Sequence, residues 1–541
     1  MDAGTRTPLP RNEPVRDYAP GSAQRDSLFA AVAVQAARTI ELPATIDGHR
    51  QRGGGDRFDV VAPHDHARVL GVSAHASGTQ AKAAVDAALR AAPAWRDLGF
   101  DERAAVLLRA ADLLAGPWRD RLNAATMLGQ SKTCHQAEID SACELIDFWR
   151  FNVAYGHRIL AEQPESSPGV WNRLDHRPLE GFVYAITPFN FTAIAGNLPT
   201  APALMGNTVI WKPSPTQTLA ACLTLELLEE AGLPPGVINL LPGNGFDISD
   251  VLLADRALAG IHFTGSSATF QHLWHRVGAN IGSYATYPRL VGETGGKDFV
   301  LAHASADVDV LRVALVRGAY EYQGQKCSAA SRAFVARSVW ERLRDDLVAE
   351  VDALPMGDVA DPANFLGAVI DRRAYDKVTA AQRMAVRDDR LHVLAGGTAD
   401  DSVGWFVRPT LVVGDDPTHE IFSTEYFGPL LAVHVYDDSG WDDVLRGIDA
   451  GSPYALTGSV IARDRAAIAT AAERLRFTAG NFYVNDKPTG AVVGQQPFGG
   501  ARASGTNDKA GSMLNLLRWV SPRTIKETFV APTSVRYPYQ G

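Results

Sequence analysis

The fold of this chain is decided by residues 181–216, which read GFVYAITPFNFTAIAGNLPTAPALMGNTVIWKPSPT. From Gly181 onward, short apolar runs alternate with segments of helical pattern. The runs occupy residues 182–186, 209–211, 237–241, 261–263 and 299–301. Such alternation is typical of a parallel sheet with crossover helices. We therefore predict an α/β fold.

A second, similar series follows Lys326. Its apolar runs lie at residues 332–335, 410–413 and 431–436. Two α/β domains that meet near residues 293–327 are the simplest account, and a cleft between domains is where ligands usually bind. Within the first series, Thr216 and Thr218 are predicted to cap a helix that ends at Gly232.

The bulk properties exclude several classes of protein. At 541 residues the chain is larger than a single core usually grows, so more than one domain is expected. The net charge is -9 and no dense run of lysine or arginine occurs, so nothing indicates a nucleic-acid partner. No apolar run reaches the roughly 18 residues that a spanning helix needs. We expect a soluble protein without a membrane partner.

The N-terminal part carries little chemistry. Residues 1–24 show no periodicity and are expected to form an arm on the surface or on a neighbouring subunit, whereas residues 79–159 have the apolar spacing of scaffold helices. The first 26 residues contain arginines but also four acidic residues, which argues against an acid-poor transit peptide. A bacterial-type cytoplasmic location is therefore predicted.

The usual dinucleotide motif G-x-G-x-x-G is missing, since Gly243-Asn-Gly245 lacks a third glycine. Two other short segments could bind the dinucleotide instead. Phe263-Thr264-Gly265-Ser266 leads from a strand into a helical pattern, whose free N–H groups could bind a pyrophosphate. Trp211-Lys212-Pro213-Ser214 ends another strand, and its lysine could bind ribose hydroxyls. Alone, they could be an ordinary turn and a surface lysine. Together they lie at the carboxyl ends of strands predicted to be neighbours, where open α/β sheets bind ligands.

Three further motifs supply the elements of covalent catalysis. Gly324-Gln-Lys-Cys327-Ser328 places a cysteine among small residues after a helical segment, which favours an exposed nucleophile. Gly292-Glu293-Thr-Gly-Gly-Lys297 sets a carboxylate in a glycine-rich turn, where it can act as a general base. Thr187-Pro-Phe-Asn190-Phe191 ends a strand with an amide that can donate to an oxyanion.

The other three cysteines, Cys134, Cys143 and Cys222, lie in helical patterns without such neighbours. We interpret them as structural. Four cysteines without metal-ligand spacing are too few for a disulfide framework, so neither disulfides nor a metal site are predicted.

The motifs resemble those of the aldehyde dehydrogenase superfamily, and they occur in that family's order. The matching strings are Pro-Phe-Asn190-Phe, Trp-Lys212-Pro-Ser, Phe-Thr-Gly265-Ser, Glu293-x-Gly-Gly-Lys, Gly-Gln-x-Cys327 and Glu425-Tyr-Phe427-Gly-Pro. The resemblance covers nearly the whole chain from about residue 30. It implies an aldehyde dehydrogenase fold with an N-terminal arm (1–30), a Rossmann-like NAD-binding domain (31–160 and 181–296), an α/β catalytic domain (297–510) and a small β oligomerisation flap (161–180 and 511–541).

The resemblance also implies NAD-dependent oxidation of an aldehyde. Cys327 would be the nucleophile, Glu293 the base that activates the deacylating water, and Asn190 with the Cys327 backbone N–H the oxyanion hole. The cysteine would form a thiohemiacetal, which gives up a hydride, and then a thioester. The residues implied to bind NAD are Thr187, Lys212, Ser214, Gly265, Ser266, Ser267, Ala268, Thr269, Glu425 and Phe427.

Longer stretches of similar sequence narrow the choice of aldehyde substrate. Phe270 stands where many members of the family have glycine. The strings around it, at 485–491 and at 494–507, are similar to the branch that oxidises the proline-derived L-glutamate γ-semialdehyde to glutamate. At 541 residues there is no room for a fused proline dehydrogenase, so that enzyme is expected only as a transient partner.

A substrate with an α-carboxylate needs an anion anchor. Ser328 can donate its hydroxyl, and Gly490 with Ala491 can present consecutive backbone N–H groups. Phe191 and Phe498 would flank the aliphatic stem of the substrate.

Other functions fit the same motifs. A dehydrogenase of succinic or aminoadipic semialdehyde would share the catalytic core, and a non-catalytic structural relative would keep the fold alone. Pro215 follows the Lys-Pro-Ser motif where many NAD-preferring relatives have an acidic residue, so the preference for NAD over NADP rests on the resemblance. A homodimer or higher homo-oligomer is expected.

Overall fold

The stretch at residues 181–216 lies at the centre of a seven-stranded sheet in the computed structural model, which describes residues 5–541. In spatial order, the strands of this first sheet are Arg289–Glu293, Leu258–Thr264, Phe182–Ile186, Thr208–Lys212, Ile238–Leu240, Ala44–Ile46 and His49–Gln51. The first five are parallel, and the last two pair antiparallel.

The central strand is buried on both faces. Val183 and Ala185 belong to one hydrophobic core, whereas Phe182, Tyr184 and Ile186 belong to another. Because successive side chains of a strand point to opposite faces, the two cores must cover the two sides of the sheet. This explains why the strand is a continuous apolar run and not an alternating one.

The five parallel strands have the order of a Rossmann-type sheet. Numbered along the chain, they lie in the spatial order 3-2-1-4-5, with Phe182–Ile186 as the first. The order reverses between this strand and Leu258–Thr264, so ligands are expected at the carboxyl ends of these two strands. One prediction is wrong: the strands that end at Lys212 and Thr264 are not neighbours, because Phe182–Ile186 lies between them.

A second sheet, also of seven strands, has a hydrophobic core of its own. Its strands, in spatial order, are Leu391–Ala395, Thr410–Gly414, Leu430–Tyr436, Ala330–Ala336, Asp298–Ala302, Thr457–Ile461 and Asn481–Val484. Only Leu391–Ala395 pairs antiparallel within this sheet. The predicted runs of the second series all fall inside these strands.

The smaller sheets pair Ile40–Glu41 and Arg57–Ala62 with Asp65–Ala74, Val170–Pro178 with Val520–Thr528, Ala399–Asp400 with Phe406–Val407, and Tyr454–Ala455 with Ala501–Arg502. The ribbon of Val170–Pro178 and Val520–Thr528 falls in the segments predicted as an oligomerisation flap. That role and the domain boundaries stay predictions.

The α-helices are Ala23–Ala36, Gly78–Asp97, Phe100–Ala115, Arg119–Gln130, Cys134–Ala137, Leu145–Ala161, Thr192–Leu204, Thr218–Glu230, Gly245–Ala254, Ser267–Ala279, Val308–Tyr320, Arg337–Ala353, Arg372–Arg387, Trp441–Ala450, Arg465–Arg474 and Met513–Leu517. The predicted threonine caps are wrong. Thr218 lies inside its helix and its hydroxyl donates to the Pro215 carbonyl, while Thr216 bonds to the Ser214 hydroxyl. Within the described part of the chain, no helix combines the length and apolar character needed to cross a membrane.

Where the structure describes it, the predicted N-terminal arm packs against its own chain. Tyr18 is buried, and its hydroxyl donates to the Glu138 carboxylate at 2.7 Å. The Glu13 carboxylate accepts hydrogen bonds from Arg119 at 2.6 Å and from Arg150 at 2.7 Å. Residues 1–4 of the predicted arm lie outside the described residues.

The chain passes from the first sheet to the second between Glu293 and Asp298. Glu293 ends an edge strand of the first sheet, and Asp298 begins a strand of the second. Asp298 pairs with Ala330 in parallel register, so the turn before Asp298 lies beside the loop before Ala330. That loop contains Cys327, which explains how residues 34 positions apart in the sequence meet.

Candidate active site

Cys327 lies in a loop whose N-terminal part is fixed by hydrogen bonds. Before it, Tyr322 and Gln323 adopt left-handed backbone conformations with φ of 52° and 54°, which side-chain-bearing residues rarely adopt. The Gln323 amide donates to the carbonyls of Ser131 and Ala368 at 2.9 and 2.7 Å. The conformational cost of the loop is therefore offset by buried hydrogen bonds.

The thiol is half-buried and not fully exposed as predicted. Burial raises the pKa of Cys327, and the carboxylates of Asp298, Glu293 and Glu425 raise it further, while its own backbone N–H lowers it. The thiolate is the nucleophilic form of cysteine, and a raised pKa disfavours it. Glu293, the base predicted to activate the deacylating water, is one of these three carboxylates.

Asn190 reaches the loop from the first sheet. Its side-chain amide is buried and donates one hydrogen bond to the Gln325 carbonyl at 3.0 Å, two residues before Cys327. An asparagine amide has two donor hydrogens, so one stays available for a substrate oxygen. The Cys327 backbone N–H donates to no carbonyl among residues 5–541. Each of the two predicted oxyanion donors thus keeps one N–H hydrogen without a partner among the described residues.

Glu293 approaches the thiol from the edge of the first sheet. Its carboxylate is half-buried and accepts a hydrogen bond from the Gly500 backbone N–H at 3.1 Å. Burial raises the pKa of Glu293 well above its usual range, whereas the Gly500 N–H and the nearby Lys509 cation lower it. A carboxylate with a raised pKa is a stronger base than one in water.

The helix Ser267–Ala279 begins at the carboxyl end of Leu258–Thr264, as predicted from Gly265 and Ser266. The Ser266 hydroxyl caps the helix by accepting the Thr269 N–H at 3.2 Å. The backbone N–H groups of Ser267 and Ala268 donate to no acceptor in the described chain. Free donors at a helix start can bind a phosphate.

Lys212 is buried, and its ammonium makes no hydrogen bond to another described residue. Burial lowers its pKa to about 8. Thr187 and Ser214 hold the backbone around it: Thr187 N–H donates to the Lys212 carbonyl at 3.1 Å, and Ser214 N–H to the Thr187 carbonyl at 3.0 Å. The Thr187 hydroxyl accepts from Trp211 Nε1 at 2.9 Å, so Thr187 supports this segment from within. A buried, unpaired cation needs acceptors from a ligand.

Glu425 and Phe427 lie on the other side of the thiol. The Glu425 carboxylate accepts the Gly296 N–H at 2.8 Å, and both residues line one small cavity with Cys327. Phe427 has a left-handed backbone, with φ of 59°, and its ring meets the Phe189 ring edge to face at 5.8 Å. The contact joins the two sheets across the cleft.

The predicted carboxylate anchor is linked directly to the nucleophile loop. Ser328 donates its hydroxyl hydrogen to Thr489 Oγ1 at 2.8 Å, and both residues are buried. Gly490 has a φ of 99°, which favours glycine, and the N–H groups of Gly490 and Ala491 are unpaired among the described residues. Thr489 is a contact that the sequence pattern did not reveal. Phe498 is half-buried beside this region, its backbone paired with Ala510.

Phe191 contacts a buried ion pair that no sequence motif indicates. Lys132 Nζ lies 4.1 Å from the centre of the Phe191 ring and 4.4 Å from that of Tyr322. The same ammonium pairs with Asp140 at 2.6 Å. Asp140 also accepts the Thr192 N–H at 3.0 Å, at the start of the helix after Phe191. Cation–π contact and ion pair together set the orientation of the ring.

Glu144 is a second candidate site residue that the sequence does not indicate, because residues 79–159 were predicted only as scaffold helices. It ends a π-helical segment, Glu138–Glu144, and such segments are often found at functional sites. Its carboxylate makes no hydrogen bond to another residue in the described range. Burial raises the pKa of Glu144 to about 8, with Lys132 and Lys326 acting to lower it.

The cavity that touches Cys327 is small. Its volume is about 20 Å³, enough for a single water molecule, and its lining includes Lys297, Cys327 and Glu425. A much larger groove, of about 1260 Å³, lies against the strand Val170–Pro178 and contains none of the predicted site residues. Size therefore does not identify the site here, and the convergence of functional groups does. No cluster of side chains suited to hold a metal ion occurs in the part of the chain that the structure describes.

The fold and these motifs identify the class of protein. The model of the aldehyde dehydrogenase family matches residues 50–525, and the chain belongs to that family. It is 48% identical over 539 residues to the probable delta-1-pyrroline-5-carboxylate dehydrogenase of Schizosaccharomyces pombe, covering 98% of each chain. It is 48% identical over 540 residues to the mitochondrial delta-1-pyrroline-5-carboxylate dehydrogenase of Dictyostelium discoideum, covering 99% and 97%.

A solved structure is more similar still. The delta-pyrroline-5-carboxylate dehydrogenase from Mycobacterium tuberculosis, bound with NAD, is 64% identical and superimposes with a TM-score of 0.97 over 100% of both chains. The aldehyde dehydrogenase fold predicted from the motifs is thereby confirmed.

The predicted cytoplasmic location is wrong by these comparisons. The Dictyostelium discoideum relative is named mitochondrial, and so are relatives from Emericella nidulans, Bos taurus and Homo sapiens. Charge and composition near residue 1 report on one kind of targeting signal, and they do not determine the compartment in which a folded enzyme of this family works.

Proposed function

We propose that this chain oxidises L-glutamate γ-semialdehyde, the open form of 1-pyrroline-5-carboxylate, to L-glutamate with NAD. The observation that carries the proposal is the convergence of three groups at the junction of the sheets. Asn190 from the first sheet holds the loop of Cys327 in the second, and the Glu293 carboxylate lies close enough to Cys327 to raise the pKa of its thiol. The names of the relatives support the choice of substrate.

The chemistry follows from the positions of these groups. The Cys327 thiolate adds to the aldehyde carbon, and the oxygen becomes an oxyanion that accepts from Asn190 and the Cys327 N–H. After loss of hydride the carbon is a thioester. Glu293 then takes a proton from a water molecule, which attacks the thioester; the C–S bond breaks, and the carboxylate product and the free thiol result.

The residues present fit NAD. The free N–H groups of Ser267 and Ala268 suit the pyrophosphate, and the unpaired Lys212 ammonium suits ribose hydroxyls. Glu425 has one carboxylate oxygen bonded to Gly296 and the other available for a second ribose. Bound NAD supplies the acceptor for the hydride that leaves the thiohemiacetal carbon.

The substrate carboxylate is assigned to Ser328 and the N–H groups of Gly490 and Ala491. The rings of Phe191 and Phe498 flank its aliphatic stem. An anion in a turn with consecutive free N–H groups is a common arrangement.

We infer that Glu144 binds the substrate's ammonium. Two cations lie near it, but each has another partner: Lys132 pairs with Asp140 at 2.6 Å, and Lys326 pairs with Glu321 at 3.0 Å. Burial raises the pKa of Glu144 to about 8, and a bound ammonium would favour its ionised form. Glu144→Gln should raise KM for the semialdehyde at least about tenfold, the loss of one charge-assisted bond, and leave propanal oxidation unchanged. An equal effect on both aldehydes would contradict this role.

A steady-state assay tests the proposed function. The protein is given 1-pyrroline-5-carboxylate, succinic semialdehyde or aminoadipic semialdehyde, each with NAD and with NADP. The highest kcat/KM is expected for 1-pyrroline-5-carboxylate with NAD. A higher value for another semialdehyde would assign the chain to that substrate, and the absence of NADH formation with all three would indicate a non-catalytic relative.

Two expectations about partners stay predictions. Transfer of substrate from proline dehydrogenase could be measured as a lag-free coupled reaction with that enzyme. The homo-oligomer could be measured by light scattering of the purified protein.

A further inference from the structure

Lys509 lies beside the proposed base and has no role in the scheme above. Its ammonium donates hydrogen bonds to the carbonyls of Gly480 at 2.8 Å and Gly499 at 3.0 Å. Its backbone has a φ of 52°, in the left-handed region that residues with side chains rarely adopt. A half-buried lysine kept in this conformation indicates a specific demand at this position.

The turn that Lys509 holds is the turn that contacts Glu293. Asn481 supports the same turn from another side, since its Oδ1 accepts the Gly499 N–H at 3.2 Å. The next amide, of Gly500, donates to Glu293 Oε2 at 3.1 Å. A Cβ at Gly499 would lie 3.0 Å from Glu293 Oε1, a tight contact that the carboxylate would have to relieve by shifting. The turn and the carboxylate are therefore in direct contact.

The charges around Glu293 come from two segments. Lys509 and Asp508 face it from the loop after the turn, and the Cys327 thiol faces it from the nucleophile loop. Asp508 is paired with Arg518 at 3.4 Å, which partly neutralises its charge. Burial raises the pKa of Glu293, and the Lys509 cation opposes that rise.

We propose that Lys509 is a positioning residue for the hydrolytic half of the reaction, which fixes the Gly499–Gly500 turn against Glu293 and places a cation beside that carboxylate. The proposal deepens the proposed function and rests on it, because it takes Glu293 as the base that activates water. Formation of the thioester uses Cys327 and Asn190, and therefore should not depend on Lys509.

The test compares three variants of the full chain, Lys509→Gln, Lys509→Arg and Asn481→Ala, with 1-pyrroline-5-carboxylate and NAD. Glutamine can still donate to the two carbonyls but has no charge, arginine keeps the charge, and Asn481→Ala loosens the turn with the charge in place. Rapid-mixing absorbance of NADH separates the first turnover from steady-state turnover, and kcat is measured against pH.

In Lys509→Gln we expect the first turnover at the wild-type rate. The acidic limb of kcat should move upward by about one pH unit, the low end of the shift caused by one nearby opposite charge, so that kcat below the limb falls about tenfold. In Lys509→Arg the acidic limb of kcat should lie at the same pH as in the wild type. Asn481→Ala should slow steady-state turnover without changing the pH of that limb. Circular dichroism and NAD binding confirm that each variant is folded.

An unmoved acidic limb in Lys509→Gln would overturn the proposal, and so would a slowed first turnover, since that result indicates a general structural role. Glu293→Gln separates this failure from failure of the proposed function. If Glu293→Gln turns over at the wild-type rate, Glu293 is not the base and both proposals fall. If it gives one rapid turnover and then stalls while Lys509→Gln is normal, only the role of Lys509 falls.

Discussion

Replacement of Ser328 by alanine should lower kcat/KM for 1-pyrroline-5-carboxylate more than for an aldehyde without a carboxylate. Ser328 donates its hydroxyl hydrogen to Thr489 at 2.8 Å, and the two residues are only 5% and 4% exposed. The hydroxyl is therefore already engaged in the protein alone. To bind the substrate carboxylate it must exchange a neutral hydrogen bond for a charge-assisted one.

The difference in free energy between these two hydrogen bonds determines how far kcat/KM should fall. A neutral hydrogen bond contributes about 0.5–1.5 kcal/mol and one to a charged group about 1.5–3 kcal/mol, so the net gain is about 1–1.5 kcal/mol. At about 1.4 kcal/mol per factor of ten, Ser328→Ala should reduce kcat/KM for the semialdehyde roughly five- to twelvefold. For propanal, which has no carboxylate, kcat/KM should change by less than about twofold, within the small effect of a serine-to-alanine change.

Initial rates of NADH formation with each aldehyde at saturating NAD provide the measurement. Thr489→Val is the matched control, because it removes the acceptor and leaves the Ser328 hydroxyl free for the substrate. Its kcat/KM for the semialdehyde should fall less than that of Ser328→Ala. Equal losses for both aldehydes in Ser328→Ala would show that the substitution displaces Cys327, and the carboxylate anchor would be refuted.

Further predictions concern the nucleophile, the base and the buried lysine. Cys327→Ala should form no NADH while its Kd for NAD, measured by calorimetry, stays within about twofold of the wild type, because no cofactor contact is removed; substantial turnover would exclude Cys327 as the nucleophile. Glu293→Gln should release one NADH per site and then turn over at least about a hundredfold more slowly, as expected on loss of a general base; loss of the first turnover would mean that Glu293 also activates the thiol. The Kd for NAD should rise as the pH increases through 8, because burial lowers the pKa of Lys212 to about 8 and the neutral amine above that pH loses its charge-assisted bonds. Lys212→Met should bind NAD weakly at every pH, and a pH-dependent Kd in that variant would assign the dependence to another group.

Local patterns in the sequence predict the strands of both sheets well. The apolar run predicts Phe182–Ile186 with the correct bounds, because a fully buried parallel strand is continuously apolar. The positions of Cys327, Glu293 and Asn190 near strand ends likewise follow from local motifs. The spatial order of the strands does not, because it depends on which side of the sheet each crossover helix takes. For this reason local patterns wrongly predict that the strands ending at Lys212 and Thr264 are neighbours.

Contacts between distant segments were missed for the same reason. Thr489 meets Ser328 across 161 positions of sequence, and Lys132 reaches Phe191 from the loop that follows the helix Arg119–Gln130. Neither has a local pattern that distinguishes it from a turn threonine or a surface lysine. Glu144 was hidden because a π-helical turn changes which residues share a face, and a 3.6-residue period cannot register that change. Such residues become visible only when burial and partners are known.

The four residues that follow the central strand connect the two halves of the site. Thr187 exchanges backbone hydrogen bonds with the segment of Lys212, and Asn190, three residues later, holds the loop of Cys327 through Gln325. The unpaired cation for the cofactor and the amide for the oxyanion are therefore positioned by one short, buried connection. A displacement of this connection must change cofactor affinity and the oxyanion geometry together. Because the connection begins where the strand order of the first sheet reverses, the topology of that sheet determines the place where aldehyde and cofactor can meet.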